Sequence, residues 1–193
     1  MEVNTYIQNK LNLKLNSSKS KIIPIKNKED KIDVFNFLGY NFQVKFKVRE
    51  RKDDTRNVII TIDQSKIDKI KQRIVKASLI FIQNKNFDSF YDRIRLIFSN
   101  YQLDSNANGI LMTGIYYNYK YISDNSSLNK INQFKNYLIT SNSRLSKRIK
   151  LYLTPVQKEK LLKLNICSGF NSKMKVKFSK QKIQELCKVL KYV

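Results

Sequence analysis

The sequence predicts an α+β fold, in which a small β-hairpin sheet with one helix precedes a mostly α-helical part and a basic C-terminal extension. Between Val34 and Val48 apolar and polar residues alternate, which is the period of a strand. From Ile67 onwards apolar residues recur at intervals of three and four, which is the period of a helix. With 193 residues and 41% hydrophobic side chains, the chain can form one domain or two small ones with a real core.

The chain is predicted to open with a helix of about three turns. Its apolar stripe consists of Val3, Ile7 and Leu11. A turn at 16–18, with Lys19 and Lys21 beside it, leads into a short apolar strand at 22–25.

The hairpin is predicted to turn at Leu38-Gly39-Tyr40, because the strand pattern continues on both sides of this glycine. A charged loop at 49–56 separates it from Val58–Ile62, a β-branched segment that can pair with the preceding strand.

Five amphipathic helices are predicted in the second part. A capping box at Ser65-x-x-Asp68 opens the first, the second runs from Phe87 to Tyr101, and the third is a looser pattern from Leu128 to Leu145. Thr154-Pro155 starts the fourth and Ser179 caps the last. The predicted buried face of the first of these helices is Ile67, Ile70, Ile74, Ala77 and Phe81, and that of the last is Ile183, Leu186, Cys187 and Leu190.

The charge of the chain points to a polyanionic partner. Lysine and arginine number 38 against 15 aspartates and glutamates, so the net charge is +23, which exceeds what solubility requires. Nucleic acid is the first candidate, because phosphate backbones attract clustered cations. An AT-rich coding sequence would also raise the lysine content, but it would not remove carboxylates.

The two cysteines, Cys167 and Cys187, lie twenty residues apart, and the chain has no histidine. This set offers too few soft ligands for zinc and no disulfide framework, so no metal site is predicted and both thiols are expected to be reduced and buried. No apolar run approaches the ~18 residues of a membrane span and no signal pattern opens the chain. A cytoplasmic location without a membrane partner is therefore expected.

Four tyrosines occur within six positions between Tyr116 and Tyr121. They could stack on bases or on the sugar edge of a duplex. Alternatively, some of them pack against the helices while the others are exposed.

The C-terminal quarter is the most basic part of the chain. From Arg144 to Val193 there are fourteen basic and two acidic residues, which give +12. Two groups are candidates for phosphate contact: Arg144, Lys147 and Arg148 on one helical face, and Lys173, Lys175 and Lys177 on one side of a strand. The residues between these lysines, Met174, Val176 and Phe178, would face the core. The alternative is a solvated face whose cations contact nothing.

Two motifs in the first fifty residues carry a family resemblance. Leu13-x-Leu15-Asn16-x-x-Lys19-Ser20-Lys21 is followed, eighteen residues after Lys19, by Phe37-Leu38-Gly39-Tyr40. In this order and spacing they resemble the late palm motifs of reverse transcriptases, the RNA-directed DNA polymerases, of the retron, group II intron and defence-associated kind. The rest of the chain resembles that family only in the order of its elements.

The resemblance implies a role for each motif. Lys19 would be the lysine near the incoming triphosphate, a supporting catalytic residue. Phe37, Leu38, Gly39 and Tyr40 would form the primer grip, the hairpin that holds the growing 3′ end. Residues 1–63 would then be the end of the palm, and residues 64–193 a helical thumb with a basic extension that grips template–primer nucleic acid.

The resemblance covers the C-terminal part of a polymerase. In that family, clustered aspartates hold two Mg²⁺ ions, and they precede the motifs found here, so Mg²⁺ is expected only in the complete polymerase and this chain alone is predicted to be inactive. The acidic pair Asp53-Asp54 follows the hairpin among Arg51, Lys52 and Arg56, which is typical of a solvated turn.

Three functions stay open on the sequence. The chain could bind template–primer as a polymerase fragment whose partner is an upstream polymerase half. It could instead be a stand-alone basic nucleic-acid-binding protein, a decayed or split relative without catalysis. A basic module that binds a protein partner is the third alternative. The two palm-like motifs also have a purely structural explanation, which is an ordinary α+β edge with a glycine in a hairpin.

Overall fold

The computed structural model describes residues 9–10, 33–46, 56–106 and 109–190. Asn9 and Lys10 are helical. The rest of the predicted first helix, the turn that carries Lys19, the strand at 22–25 and Asp53-Asp54 lie outside the described residues.

Three antiparallel strands form the first sheet, in the order β1 (Asp33–Phe37), β2 (Tyr40–Phe46) and β3 (Arg56–Ile62). Leu38 and Gly39 join β1 to β2 with φ angles of 48° and 84°, and two positive φ angles are what a two-residue hairpin turn with the right twist requires. The predicted hairpin and the pairing of the third strand with it are confirmed. The α+β class is likewise confirmed.

Two long helices follow the sheet. Asp63 caps α1 (Gln64–Asn84), because its carboxylate accepts from the Ser65 amide at 2.9 Å. The capping box predicted at Ser65 was wrong, since Asp63 supplies the acceptor two positions earlier. The predicted buried face of α1 is confirmed, and Asn86 caps α2 (Phe87–Phe98).

A second sheet interrupts the helical part. β4 (Asn100–Asn106) pairs antiparallel with β5 (Gly109–Gly114), so the predicted continuation of the second helix to Tyr101 was wrong. The Asn100 amide donates to the Met174 carbonyl at 2.9 Å, and the Asn100 carbonyl accepts from the Val176 amide at 2.8 Å. These bonds to a distant segment draw the chain out of the helix.

Six further helices complete the described part of the chain: α3 (Ile115–Tyr119), α4 (Ser126–Thr140), α5 (Arg144–Lys150), α6 (Pro155–Lys163), α7 (Ile166–Asn171) and α8 (Lys180–Leu190). The predicted third helix is two helices, because Ser143 caps a new one before Leu145. Thr154 caps α6 with a capping box, and the Ser179 hydroxyl accepts from the Lys182 amide at 3.2 Å, so both of these predicted caps are confirmed.

One large apolar cluster joins the sheet to the helices. It includes Ile62 of β3, Phe81 of α1, Phe98 of α2 and Ile131 of α4, each no more than 2% exposed. Within the described ranges, none of the helices combines the length and the apolar character needed to cross a bilayer.

Serine side chains fasten the sheet to the segment before α4 and to α4 itself. Ser123 accepts from the Ile60 amide at 2.8 Å through its hydroxyl and donates its own amide to the Ile60 carbonyl at 2.9 Å. The Ser127 hydroxyl accepts from the Ile62 amide at 3.0 Å. At these positions the outer edge of β3 is therefore satisfied by the two serine hydroxyls and by the Ser123 amide.

Two glycines allow the backbone to pass close to the start of β4. A Cβ atom on Gly169 would lie 1.9 Å from the Phe98 carbonyl oxygen, and one on Gly114 would lie 2.4 Å from the Ser99 carbonyl oxygen. Only residues without a side chain fit these positions. This approach fixes α3, which starts directly after Gly114, against the rest of the fold.

Candidate nucleic-acid interface

The hairpin turn presents two apolar side chains to solvent. Leu38 is 80% exposed and Phe37 is 61% exposed. The turn is nevertheless fixed, because the Asp63 amide donates to the Gly39 carbonyl at 3.0 Å and ties the turn to the start of α1. Large apolar side chains held in solvent by a fixed backbone are typical of a binding surface.

Lys66 adds a cation beside the turn. A Cβ atom built on Gly39 would lie 3.2 Å from Lys66 Cε, so the aliphatic stem of this lysine runs along the turn. The residue as a whole is exposed, which leaves its ammonium group in solvent.

Aromatic side chains share one face of the hairpin. Phe37 lies directly opposite Tyr40, and Phe35 lies opposite Phe42. The Phe35 and Phe42 rings are stacked, with centroids 4.9 Å apart and planes 5° from parallel. Cross-strand aromatic pairs of this kind stiffen a hairpin.

Tyr40 connects the hairpin to α3. Its hydroxyl donates to the Asn118 carbonyl at 3.1 Å, and its ring lies 6.2 Å from the rings of Tyr119 and Tyr121. Burial raises the pKa of Tyr40, so the hydroxyl stays protonated and can donate at neutral pH.

The tyrosine tract is divided between packing and exposure. Tyr116 packs on Phe170, with ring centroids 5.5 Å apart, whereas Tyr121 is 63% exposed. Lys120 Nζ lies 4.8 Å from the Tyr121 ring centroid, and a hydrogen bond with Tyr121 raises the pKa of Lys120. We call Phe37, Leu38, Gly39, Tyr40, Lys66, Lys120 and Tyr121 the hairpin surface.

Arg144, Lys147 and Arg148 are exposed on α5, but they lie far from the hairpin surface. The loop after α5 meets the C-terminal end of α1, where Lys85 Nζ lies 5.1 Å from the Tyr152 ring centroid. Lys66 lies at the opposite end of α1, and a helix of 21 residues is roughly 30 Å long. These cations therefore form a separate basic group.

Lys173, Lys175 and Lys177 are exposed but do not form the predicted strand. Among the described residues, a single bridge, between Asn100 and Lys175, pairs this segment with another, and Lys173 has a left-handed φ of 50°. Val176 is buried as predicted. The prediction that Met174 faces the core was wrong, because the turn at Lys173 leaves Met174 exposed.

Lys173 is nevertheless linked to the hairpin surface. Its Nζ atom lies 4.8 Å from the ring centroid of Tyr116, and Tyr116 lies one turn before Tyr119 on α3. The structure thus places Lys173 beside the helix that supports Tyr40, and it places α5 elsewhere.

A cavity of about 240 Å³ lies behind α3, between α1, α2 and α8. Arg73, Tyr101, Tyr119 and Cys187 contribute its polar lining. Burial, and then the proximity of Cys187, raise the pKa of Tyr101 to about 12. Both cysteines are free thiols, and they are half-buried instead of buried as predicted.

Sequence reasoning missed Lys66 and Lys120 as site residues, and it left the role of Tyr121 open. Nothing in the local sequence distinguishes Lys66, in the first turn of α1, from an ordinary exposed lysine. Its contact with Gly39 depends on the fold. Lys120-Tyr121 stood out only as part of the tyrosine tract.

In the part of the chain that the structure describes, no three His, Cys, Asp or Glu side chains are grouped so that they could hold a metal ion. No family model, no curated protein and no solved structure matches this chain.

Proposed function

We propose that the chain binds template–primer nucleic acid as the C-terminal part of a protein of the reverse transcriptase kind. The observation that carries this proposal is the fixed hairpin turn, with Leu38 80% exposed and Lys66 beside Gly39. An apolar turn can pack against the sugars of a primer end while neighbouring cations neutralise its phosphates. Phe37, Leu38, Gly39 and Tyr40 would support the primer terminus.

The order of the elements supports this assignment. A hairpin and one further strand precede the helices, as the end of a palm precedes a thumb. Lys19 lies outside the described residues, and its role near the triphosphate stays a prediction. Mg²⁺ would bind only to the complete polymerase. An upstream polymerase half, also in the cytoplasm, would contribute the aspartates that hold it.

A stand-alone nucleic-acid-binding protein is the second candidate. It is favoured by the basic group on α5, because cations roughly 30 Å from the turn can hold a duplex without any contact to its end. Such a protein would bind through phosphates and would not distinguish a recessed primer end from a blunt one.

The two candidate functions predict different affinities for a primed template and for a blunt duplex of the same paired length. We expect the 193-residue chain to bind the recessed 3′ end more tightly. Leu38→Ser should weaken binding of the recessed end about five-fold, because about 1 kcal/mol of apolar contact is lost. Val156→Ser, which removes a similarly exposed apolar side chain from α6, is the matched control and should change nothing.

Fluorescence anisotropy of labelled oligonucleotides provides the affinities, and circular dichroism confirms that each variant is folded. Equal affinity for both ends, with no effect of Leu38→Ser, would reject the primer-grip assignment in favour of the stand-alone binder. No binding of either oligonucleotide would reject both candidates.

A further inference from the structure

We infer that the hairpin surface holds unpaired nucleotides by stacking bases on Tyr121 and Phe37. This inference deepens the proposed function and rests on it, because it adds the unpaired nucleotides next to the primer terminus as a ligand of the same surface. Phosphates of the same strand would lie against Lys66 and Lys120.

The rings of Tyr121 and Phe37 are both exposed. Tyr121 is 63% exposed and Phe37 is 61% exposed, whereas the neighbouring Tyr116 is used in packing on Phe170. An exposed aromatic ring gains free energy when a base covers it, whatever the base, because each base has a π face. These two rings therefore offer stacking without sequence preference.

The two exposed rings lie on one face. Phe37 lies opposite Tyr40 across the hairpin, and the Tyr40 ring lies 6.2 Å from the Tyr121 ring. The hydrogen bond from the Tyr40 hydroxyl to the Asn118 carbonyl, 3.1 Å long, holds the hairpin and α3 together. Tyr40 thus lies between the two exposed rings and holds them in place before the nucleic acid binds, which lowers the entropic cost of binding.

Two lysines place positive charge beside the hairpin turn and Tyr121. Lys66 lies along the turn, with Cε 3.2 Å from a Cβ built on Gly39, and Lys120 Nζ lies 4.8 Å from the Tyr121 ring centroid. Asp124 is the nearest carboxylate along the chain from Tyr121, and it accepts from the Ser126 amide at 2.7 Å at the start of α4. The combination of aromatic rings with cations is complementary to a strand of bases and phosphates.

Bases in the interior of a duplex cannot stack on these two rings. Inside a duplex both faces of each base are covered by neighbouring bases, so an aromatic side chain can stack only on an end or on an unpaired nucleotide. Tyr152, near the basic group on α5, is 39% exposed against 63% for Tyr121, and Lys85 Nζ lies 5.1 Å from its ring centroid. The hairpin surface is thus suited to the single strand that continues beyond a paired region.

The test uses three probes: a 12-nucleotide oligothymidine, the same strand with abasic sites, and a 12-base-pair duplex closed at both ends by polyethylene glycol linkers, which add no unpaired nucleotide. We expect Tyr121→Leu to weaken binding of oligothymidine about ten-fold, within the range measured for loss of one stacked base. The same variant should bind the abasic strand and the closed duplex as the unchanged chain does. Tyr121→Phe, which keeps the ring, should keep the affinity.

Tyr137→Leu is the matched control, because it removes another exposed tyrosine from the surface of α4. An equal loss on all three probes, no loss on oligothymidine, or failure of Tyr121→Phe to keep the affinity would overturn the stacking inference. If Leu38→Ser still weakens binding of the primed template in that case, the proposed function stands without this inference. If no probe and no primed template binds, the proposed function fails as well.

Discussion

Lys135 lies in the core although it carries an ionisable amine. It is 1% exposed, and its Nζ atom donates to the carbonyl oxygens of Leu161, Leu162 and Leu164. These carbonyls belong to the end of α6, where a helix leaves its last acceptors without intrahelical donors. Lys135 thus caps α6 from α4, at the cost of removing an amine from water.

This burial predicts a pH dependence of stability. Desolvation lowers the pKa of Lys135 from 10.5 to about 8, so between these values the unfolded chain binds a proton that the folded chain does not. The free energy of unfolding should therefore rise with pH across this window, by up to about 3 kcal/mol. Urea unfolding of the unchanged chain and of Lys135→Met at pH 7.5, 8.5 and 9.5 measures the difference.

We expect the stability of the unchanged chain to increase relative to Lys135→Met over these three pH values. The other lysines and the tyrosines titrate in both proteins, so their contributions cancel in the difference between the two free energies of unfolding. A difference that stays constant up to pH 9.5 would mean that the three carbonyl oxygens keep the ammonium group charged.

At the scale of elements, two basic segments differ in how their cations are held. On α5, Arg144, Lys147 and Arg148 project from one short helix that packs on α4 and α1. The segment at 173–177 is extended beside β4 and is anchored by the burial of Val176. Lys175 and Lys177 flank this buried residue and share its exposed side, whereas Lys173 is turned towards Tyr116.

Salt dependence measures which segment contacts phosphates. Changing Lys173, Lys175 and Lys177 to Gln should weaken binding of any duplex, and it should reduce the slope of log affinity against log salt by about two to three units, one per lost phosphate contact. The matched variant changes Arg144, Lys147 and Arg148 to Gln and removes the same charge.

The salt slopes of the two variants distinguish a duplex that contacts the segment at 173–177 from one that contacts α5. We expect the larger loss of slope in the 173–177 variant, because Lys173 lies beside the helix that supports the hairpin surface. An unchanged slope in that variant, with its circular dichroism intact, would assign the exposed lysines to solvent.

At the scale of the whole molecule, the hairpin surface exists only because the sheet and the helices share one core. Its residues come from the hairpin, from the start of α1 and from the end of α3 and the residues after it, and Ser123 and Ser127 fasten the last of these to β3. The net charge of +23 surrounds this surface with a positive field that accelerates association with nucleic acid.

The 193-residue chain by itself should not extend a primer. Two-metal nucleotide transfer needs clustered carboxylates, and the sequence contains no Tyr-x-Asp-Asp motif. Incorporation of labelled nucleotide on primed RNA and DNA templates, with Mg²⁺ and with a chelator, measures this. Incorporation above the blank that disappears with the chelator would contradict the prediction.

Features that depend on neighbours along the chain could be predicted from the sequence. The hairpin turn at Leu38-Gly39 follows from local alternation and a glycine, and the buried face of α1 follows from a repeat of three and four. The caps at Thr154 and Ser179 are also local, because a side-chain oxygen binds an amide three residues away.

The remaining features are decided by contacts between residues far apart in sequence. β4 leaves the helical pattern because Asn100 pairs with Met174 and Val176. The left-handed φ of 50° at Lys173, shortly after the close approach of Gly169 to Phe98, keeps the lysines at 173–177 out of a regular strand. Lys66 and Tyr121 reach one surface for the same reason: local periodicity determines which face of an element is apolar, but only packing of the whole chain determines which exposed side chains become neighbours.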